Sequence, residues 1–396
     1  VAAWHCIGIP KEVTAFTFPI DKHNSFGRFT KESTSQIVLK GGYNSDPGRG
    51  SFWNRETSTP NDFSGKIVNE ARILSLSDPA DKNNEPLQNL PEGARLLAVG
   101  TCLDDFDIPT LRAEEPNVVF VSHKSARKPL EQLLEVFPSI EWIHARSAGI
   151  DFITSPGLAA AENVILTNAK GMFSSTLAEY CMMACSYFAK DLPRLMRQKG
   201  EKSWDSYDVL ELRGSTMGIV GYGDIGRACA KLANAYGMKV IALRQNPKRS
   251  MYDPYCDQVY GMDDLNTLMS QSDYILVATP LTDQTKGMIN ALTLMHAKKD
   301  AVLINVGRGP VVDESALVGA LLNRKLKGAA LDVTTVEPLP PESALWSLDN
   351  VLLSPHNMDQ TATFMRESTT FFVDENLPRF IRDVELLNPT DKAAGY

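Results

Sequence analysis

The chain has 396 residues, 43% of them hydrophobic and 22% charged, and carries a net charge of −8 at pH 7. This length predicts two or three domains, and the composition is ordinary for a globular protein. The negative charge gives no general attraction to nucleic acid or to an acidic membrane, so we expect a small molecule as the partner. No apolar run reaches the roughly 18 residues that a membrane helix needs. We therefore expect a soluble intracellular protein, cytoplasmic or, after removal of a transit peptide, organellar.

The six cysteines are scattered along the chain, and no pair has C-x-x-C spacing. That distribution favours free thiols in a reducing compartment over a disulfide framework or a zinc site. Cys181 and Cys185 lie one helical turn apart, but no His or acidic residue completes a ligand set beside them. We interpret them as core residues and expect no bound metal.

Residues 1–66 are rich in Ser, Thr, Asn, Gly and Pro. Such a segment predicts an N-terminal extension rather than an independent fold. Beyond it, strands alternate with helical patterns such as 129–136, which indicates a parallel sheet covered on both faces. The strands expected in this first sheet are 72–76, 95–99, 118–122, 141–145 and 164–167.

A long helix is expected over 174–198, and because it is apolar on most of its surface it should be buried between domains or subunits. The tail over 361–377 also has a helical pattern. It should stop before Pro378, which cannot continue a helix, and cross back to the first domain. Between the two, the strands expected in a second sheet are 216–220, 239–243, 274–278, 302–306, 329–333 and 351–353.

The segment Gly-Tyr-Gly-Asp-Ile-Gly at 221–226 closes the strand 216–220 and opens a helix. The first glycine permits a tight turn, the second lets a pyrophosphate approach the backbone, and the third lets helix and strand pack closely. The motif alone is a weak signal. Strand, turn, helix and second strand together predict a dinucleotide-binding site.

An acidic residue is expected about twenty residues after this turn, where it would bind the ribose 2′-hydroxyl of NAD. Here Arg244 follows the strand 239–243, and Lys248 and Arg249 lie close behind it. An arginine can hold a 2′-phosphate with a forked pair of hydrogen bonds, whereas an acid would repel it. We therefore predict a preference for NADP(H), while use of NAD(H) stays open. A solvated basic loop is the alternative interpretation.

Three polar side chains follow three successive strands of the expected second sheet. Arg308, Glu337 and His356 each stand just beyond the end of one strand. Ligands of an open parallel sheet bind outside the carboxyl ends of its strands, so the three can converge on one crevice beside the nucleotide. Each residue alone has an ordinary structural interpretation, whereas the three together indicate an active site.

Longer motifs surround these residues: Leu-Arg-Gly-Ser-Thr-Met-Gly-Ile-Val-Gly-Tyr-Gly at 212–223, Ile-Asn-Val-Gly-Arg-Gly-Pro-Val-Val-Asp-Glu at 304–314, and Pro355-His356. With them the chain, from about residue 72 onward, resembles the D-isomer-specific 2-hydroxyacid dehydrogenases. Its pattern is closest to the NADPH-dependent glyoxylate/hydroxypyruvate reductases of that family.

The resemblance implies an α/β fold of two doubly wound parallel-sheet domains, a Rossmann nucleotide-binding domain and a flavodoxin-like substrate domain. The N-terminal extension at 1–66 is expected from composition alone and has no counterpart in this resemblance. The substrate domain would comprise 67–187 plus 357–396, and the nucleotide-binding domain 188–356.

The resemblance also assigns roles. Arg308, Glu337 and His356 would be catalytic, and Arg308 with the backbone amides of Ala148 and Gly149 would bind the substrate carboxylate. Asp332 would hold the nicotinamide carboxamide. The residues expected along the nucleotide are Gly221, Gly223, Asp224, Ile225, Gly226, Arg244, Thr279, Pro280, Thr285, Val306 and Asp332.

Two further features bear on the pocket and on assembly. Met358 stands where many family members have a small residue two positions after the catalytic His, so the pocket wall near the nicotinamide should be bulkier. The helix expected at 174–198 carries more apolar surface than one domain contact needs. The segment 200–204 looks like the arm that crosses to the partner in the family's reductases, so we expect a homodimer.

The implied activity is NADPH-dependent reduction of a small 2-oxoacid, such as glyoxylate or hydroxypyruvate, to the D-2-hydroxyacid. Arg308 would grip the carboxylate, His356 would donate the proton, and Glu337 would favour the charged imidazole ring. Two alternatives stay open: NAD-linked oxidation of a D-2-hydroxyacid such as phosphoglycerate, and a nucleotide-sensing, corepressor-like binding protein. Formate-type oxidation is less favoured, because such members carry Gln where Glu337 stands.

Overall fold

The structure is a computed structural model that describes residues 66–392 of the chain. The extension expected at 1–66 therefore lies almost wholly outside the described residues. Within the described range, twelve strands form two sheets in which every pairing of neighbouring strands is parallel. This confirms the fold class expected from the sequence.

The first sheet has five strands: β1 (Ala71–Leu76), β2 (Ala94–Gly100), β3 (Val118–Val121), β4 (Trp142–Ala145) and β5 (Ile165–Asn168). They run in the order β2-β1-β3-β4-β5, which is the order of flavodoxin-like doubly wound sheets. Every residue of β3 and β4 is buried, as expected for central strands covered on both faces. The sequence predicts all five strands to within one residue at each end.

The second sheet has seven strands: β6 (Thr216–Val220), β7 (Lys239–Leu243), β8 (Gln258–Tyr260), β9 (Tyr274–Val277), β10 (Val302–Asn305), β11 (Gly328–Leu331) and β12 (Val351–Leu353). Their order, β12-β11-β10-β9-β6-β7-β8, extends the Rossmann arrangement by one strand. The sequence patterns miss β8, because this edge strand is only three residues long and none of them is buried.

Helices cover both sheets, and within residues 66–392 none is long and apolar enough to cross a membrane. In chain order they are α1 (Ile108–Glu114), α2 (Arg127–Val136), α3 (Pro156–Ala160), α4 (Ser174–Ala189), α5 (Leu192–Glu201), α6 (Asp224–Ala235), α7 (Leu265–Gln271), α8 (Ala291–His296), α9 (Glu314–Leu322), α10 (Phe364–Phe371) and α11 (Leu377–Ile381).

The single helix expected over 174–198 is wrong, because the chain breaks into α4 and α5. Asp191 adopts a left-handed conformation with φ 50°, and its side chain accepts a hydrogen bond from the amide of Arg194. Pro193 lies in the first turn of α5, where its missing amide hydrogen costs nothing. Burial on most sides applies to α4 alone, since α5 has no buried residue.

The α4 helix packs against the second sheet. Its apolar residues belong to the same buried cluster as Met217 and Ile219 of β6, and α4 lies along α6. Residues 174–187, expected in the substrate domain, therefore pack as part of the nucleotide-binding layer.

The tail also differs from expectation, since it continues through Pro378. Residues Phe372–Asn376 form a π-helical turn between α10 and α11. Pro378 then falls in the first turn of α11, where a helix needs no amide donor, and the helix runs on to Ile381. The proline therefore stands at the start of α11 and does not end the helical tail.

The tail packs against the first sheet through aromatic rings. The ring of Phe372 lies 4.9 Å from that of Phe120 and 5.2 Å from that of Trp142. The ring of Phe380 stacks on Trp142 at 5.1 Å. Residues from the end of the described chain thereby complete the core on one face of β3 and β4.

A histidine lies inside this aromatic cluster. His144 on β4 is completely buried, its ring lies 5.1 Å from that of Phe372, and its Nδ1 lies 2.7 Å from Thr167 Oγ1. Its Nε2 has no hydrogen-bond partner among the described residues. Burial lowers the pKa of His144 from 6.5 to about 3, so the folded protein holds this ring neutral.

This histidine should make the fold sensitive to acid. Its pKa is lower in the folded state, so its contribution to stability is complete above pH 6.5 and is lost as the pH falls toward 3. At pH 5 the loss should be on the order of 2 kcal/mol. We expect His144→Phe to keep the thermal midpoint at pH 8 and to flatten its fall between pH 7 and pH 5. His296→Gln, at the exposed end of α8, is the control and should retain the unmodified slope.

Candidate active site

The turn at 221–226 leaves space at only one of its three glycines. A Cβ on Gly221, whose φ is +103°, would lie 2.8 Å from the carbonyl carbon of Ala278. A Cβ on Gly226 would lie 2.5 Å from the carbonyl oxygen of Gly221. Around Gly223 nothing lies within 4 Å, so the backbone there is open to a ligand. Gly221 and Gly226 therefore permit close packing of the backbone, whereas Gly223 leaves its peptide group open to a ligand.

The start of α6 adds hydrogen-bond donors to this open point. The first amides of a helix, here Asp224, Ile225 and Gly226, have no partner inside it. The positive end of the helix dipole adds to them and favours a phosphate group. Lys170 Nζ lies 3.5 Å from Asp224 Oδ2 and offsets the negative charge of that carboxylate. The turn therefore fits the pyrophosphate of a dinucleotide.

Arg244 lies at the tip of β7 beside this turn. The carbonyl oxygen of Leu243, the last residue of β7, accepts hydrogen bonds from the amides of Gly221 and Tyr222, each at 3.1 Å. The next residue is Arg244, whose Nη1 donates to Ser250 Oγ in the 3₁₀ turn Pro247–Ser250. Arg244 thus follows the strand end at which dinucleotide-binding folds carry their ribose-binding residue.

The other residues expected along the nucleotide lie at the same sheet edge. Thr279 and Pro280 follow β9, and Val306 follows β10. Thr285 Oγ1 donates to the carbonyl oxygen of Pro280 at 2.7 Å and so closes the loop after β9. Thr279 Oγ1 is buried and has no hydrogen-bond partner within residues 66–392. A bound nucleotide could satisfy it.

Asp332 connects two strand ends. It follows β11, is almost fully buried, and its Oδ1 lies 2.7 Å from Ser354 Oγ. The same oxygen accepts the amide of Asn357 at 3.2 Å. Asp332 therefore fixes the loop after β12, which carries His356.

His356 and Glu337 form a direct pair. His356 Nδ1 lies 2.7 Å from Glu337 Oε2, and Glu337 Oε1 accepts the amide of Thr334 at 3.1 Å. His356 has φ 52°, a strained conformation for a residue with a side chain. Because Nδ1 is engaged by Glu337, Nε2 is the ring nitrogen left to meet another group.

Arg308 stands between two points where backbones touch. A Cβ on Gly307 would lie 2.7 Å from the carbonyl oxygen of Thr279, and a Cβ on Gly309 would lie 2.0 Å from that of Thr334. The Arg308 backbone is therefore fixed by the segments that follow β9 and β11. The sequence motif shows the glycines but not the strands that they touch.

The Arg308 side chain reaches the loop at 147–151, which follows β4 of the first sheet. Its Nε lies 3.0 Å and its Nη2 2.9 Å from Asp151 Oδ2, and its Nη1 donates to its neighbour's carbonyl, Gly307 O, at 2.9 Å. A Cβ on Gly149 would lie 1.8 Å from Arg308 Nη2. The guanidinium and this loop are thus in contact.

The loop itself presents its amides. The carbonyl oxygen of Ala148 accepts Asn168 Nδ2 at 2.7 Å, and that of Gly149 accepts Ser147 Oγ at 2.7 Å. No hydrogen bond within the described part of the chain uses the amides of Ala148 or Gly149. The structure therefore brings these amides beside Arg308, in an arrangement suited to a carboxylate.

Asp359 is a further carboxylate, close enough to His356 and Arg308 to feel their charges. Its Oδ1 is buried without a hydrogen-bond partner among residues 66–392. Burial raises the pKa of Asp359, although the positive charges of His356 and Arg308 act in the opposite direction. Neighbouring Met358, expected in the pocket wall, packs partly buried against the cluster around α4 and β6.

Sequence reasoning assigned no role to Asp151 or Asp359. Asp151 ends the loop at 147–151, but its partner Arg308 is 157 residues away, so no local pattern could pair them. Asp359 stands three residues after His356. An acidic residue so close to an expected catalytic histidine was the only available signal for it.

Residues 182–357 match the family described as D-isomer specific 2-hydroxyacid dehydrogenase, NAD binding domain. A glyoxylate reductase of Thermofilum pendens is 34% identical over 57% of this chain and 67% of that protein. A hydroxypyruvate reductase of Thermotoga maritima is 31% identical over 74% of this chain and 93% of that protein. A D-3-phosphoglycerate dehydrogenase of Methanocaldococcus jannaschii is 31% identical over 65% of this chain, and the match covers 49% of that protein.

A solved structure is similar over most of the chain. It is a D-isomer specific 2-hydroxyacid dehydrogenase from Xanthobacter autotrophicus, in complex with NADPH and MES. The TM-score is 0.69 at 28% identity, and the match covers 83% of this chain and 100% of that one. The chain therefore belongs to the D-isomer specific 2-hydroxyacid dehydrogenases, a family of NAD(P)-dependent oxidoreductases.

Proposed function

We propose that this enzyme uses NADPH to reduce a small 2-oxoacid, such as glyoxylate or hydroxypyruvate, to the D-2-hydroxyacid. The observation that carries the proposal is the convergence of Arg308, the amides at 148–149 and the His356–Glu337 pair beside the nucleotide turn. The similarity to a glyoxylate reductase and a hydroxypyruvate reductase supports the same substrate class. In this proposal 188–356, with α4 packed against it, binds the nucleotide, and the rest of 67–187 with 357–396 forms the substrate domain.

The substrate carboxylate binds between the first sheet and Arg308. The unused amides of Ala148 and Gly149 donate to it, and Arg308 supplies a positive charge from the other side. The same guanidinium lies close enough to polarise the adjacent carbonyl group and to stabilise the negative charge that develops on its oxygen. Holding both groups at once aligns C2 for reaction.

His356 delivers the proton. Glu337 Oε2 engages Nδ1 and stabilises the charged ring, so the proton leaves from Nε2 toward the carbonyl oxygen. When bound, reduced nicotinamide supplies the hydride that C2 receives. Asp332, which fixes the loop carrying His356, is the residue that would hold the nicotinamide carboxamide.

Asp359 bears on the charge of the substrate side chain. When ionised, this carboxylate near His356 and Arg308 repels a second negative group on the substrate, such as a phosphate. This favours an uncharged 2-oxoacid over the phosphoglycerate alternative. A corepressor-like binding role needs no paired acid and base, so the His356–Glu337 contact favours catalysis over it.

The deciding experiment measures initial rates with NADPH and with NADH against a panel of 2-oxoacids. The panel contains glyoxylate, hydroxypyruvate, pyruvate, 4-hydroxyphenylpyruvate and 3-phosphohydroxypyruvate. We expect the highest kcat/KM with NADPH and one of the first two. A preference for the phosphorylated compound, or turnover with none of them, would contradict the proposal.

Arg244 should determine the cofactor preference. Arg244→Asp removes the forked contact to the 2′-phosphate and places a negative charge there. The loss should be about 1.5–3 kcal/mol, or roughly ten- to a hundredfold in NADPH affinity, with NADH binding kept or improved. Binding is measured by nucleotide fluorescence titration. Arg112→Asp, at an exposed position of α1 beside the first sheet, is the matched control and should leave NADPH affinity unchanged. Equal kcat/KM for both cofactors in the unmodified enzyme would defeat the idea.

Substitutions at His356 and at Glu337 should have different effects on turnover. His356→Ala should abolish turnover and leave NADPH binding nearly unchanged, because the ring lies outside the nucleotide turn. Glu337→Gln keeps a hydrogen-bond acceptor for Nδ1 but removes the charge that stabilises the imidazolium. The kcat should therefore fall in that variant, while NADPH binding stays unchanged. An unchanged kcat would exclude Glu337 from this role.

We also propose that the enzyme works as a homodimer formed through the nucleotide-binding layer. Exposed apolar side chains lie along α5 and the segment after it: Leu195, Met196, Trp204, Val209 and Leu210. Exposed apolar residues concentrated on one helix and the segment after it suit a symmetric interface. Light scattering at micromolar concentration should give about twice the chain mass of 43.6 kDa. A single-chain mass would contradict this.

A further inference from the structure

Asp151 engages one side of the Arg308 guanidinium and leaves donors on both terminal nitrogens for a ligand. A guanidinium has five N–H donors in a fixed plane. Asp151 Oδ2 accepts one from Nε and lies 2.9 Å from Nη2 as an ion pair, and the carbonyl oxygen of Gly307 accepts one from Nη1. One N–H on Nη1 and both on Nη2 have no hydrogen-bond acceptor within residues 66–392. Parallel donors on two terminal nitrogens are the arrangement that grips a carboxylate or spans a carboxylate and a carbonyl.

Asp151 is itself anchored within the first sheet's part of the chain. Its carbonyl oxygen accepts Arg127 Nη2 at 2.6 Å and Thr154 Oγ1 at 3.1 Å. Arg127 begins α2 and Thr154 precedes α3, so two further segments fix this backbone. The carboxylate is thus presented from a supported loop. Arg308 comes from the opposite side of the cleft, on the segment after β10.

The contact also explains the glycine at 149. Arg308 Nη2 lies where the Cβ of any other residue at this position would be. The guanidinium therefore lies directly against the backbone whose amide is unused. Exposed ion pairs contribute little to stability, and this pair is partly exposed on both sides, so its value lies in geometry.

We propose that Asp151 is a positioning residue for the proposed reduction: across the cleft, it orients Arg308 so that the remaining guanidinium donors and the amides at 148–149 form one carboxylate-binding site. This inference rests on the proposed function for the identity of the substrate. The contact between Asp151 and Arg308 itself rests on the distances alone. It also makes the binding site dependent on residues from both sheets.

The test is a double-mutant cycle between Asp151 and Arg308. Asp151→Ala removes the acceptor, and Arg308→Lys keeps the charge but cannot be held at two nitrogens. A misdirected guanidinium should reduce kcat/KM for glyoxylate by about ten- to a hundredfold in the unmodified background. In the Arg308→Lys background the same substitution should cost less than about threefold, because there is no planar group left to orient.

A second readout does not require turnover. Oxamate copies the carboxylate and carbonyl of a 2-oxoacid but is not reduced, and its dissociation constant is measured on the NADPH complex. Asp151→Ala should weaken oxamate binding and leave NADPH binding unchanged. Asp151→Asn, which keeps one oxygen acceptor and the side-chain volume, should fall between Ala and the unmodified enzyme. It also serves if the Ala variant is unstable.

Asp349→Ala is the control, because it breaks the exposed ion pair between Asp349 and Arg324. It should leave both readouts unchanged. An equal loss from Asp151→Ala in both Arg308 backgrounds would overturn the proposal, as would no loss at all in oxamate binding. A protein that binds oxamate through Asp151 but reduces no 2-oxoacid would defeat the proposed function and leave this inference standing.

Discussion

Close backbone crossings at the carboxyl edge of the second sheet govern the geometry of the site. Gly307 touches the segment after β9, and Gly309 touches the segment after β11, with no room for a side chain at either point. Arg308 lies between them, so its direction follows from contacts made by three strands. Interiors packed this closely do not deform gradually. The guanidinium therefore reaches the loop at 147–151 from a fixed base.

Much of the fold could be predicted from the sequence, because strands buried on both faces are short, apolar and bounded by turns. The ends of β6 and β7 match expectation, and so does the glycine-rich turn between β6 and α6. The catalytic residues could be proposed because parallel strands present their carboxyl ends at one edge. Arg308 could be identified from its local motif at 304–314 without any knowledge of its distant contacts.

The rest depended on information that no local pattern carries. The helix breaks at Asp191 because this residue adopts a left-handed backbone conformation, which the apolar pattern does not reveal. The tail continues through Pro378 because a π-helical turn precedes it, and no sequence pattern indicated that turn. The contact of Asp151 with Arg308 joins residues on different sheets. Periodicity reports which face of an element is apolar, but it does not report which distant loop that element will meet.

The return of the tail to the first sheet has a consequence for synthesis of the protein. The rings of Phe120 and Trp142 are covered by α11 and the turn before it, which leave the ribosome more than two hundred residues later. Until then one face of the first sheet stays open to water, and exposed apolar surface of this kind invites aggregation. All strands of the second sheet are therefore synthesised before the residues that cover this face of the first sheet.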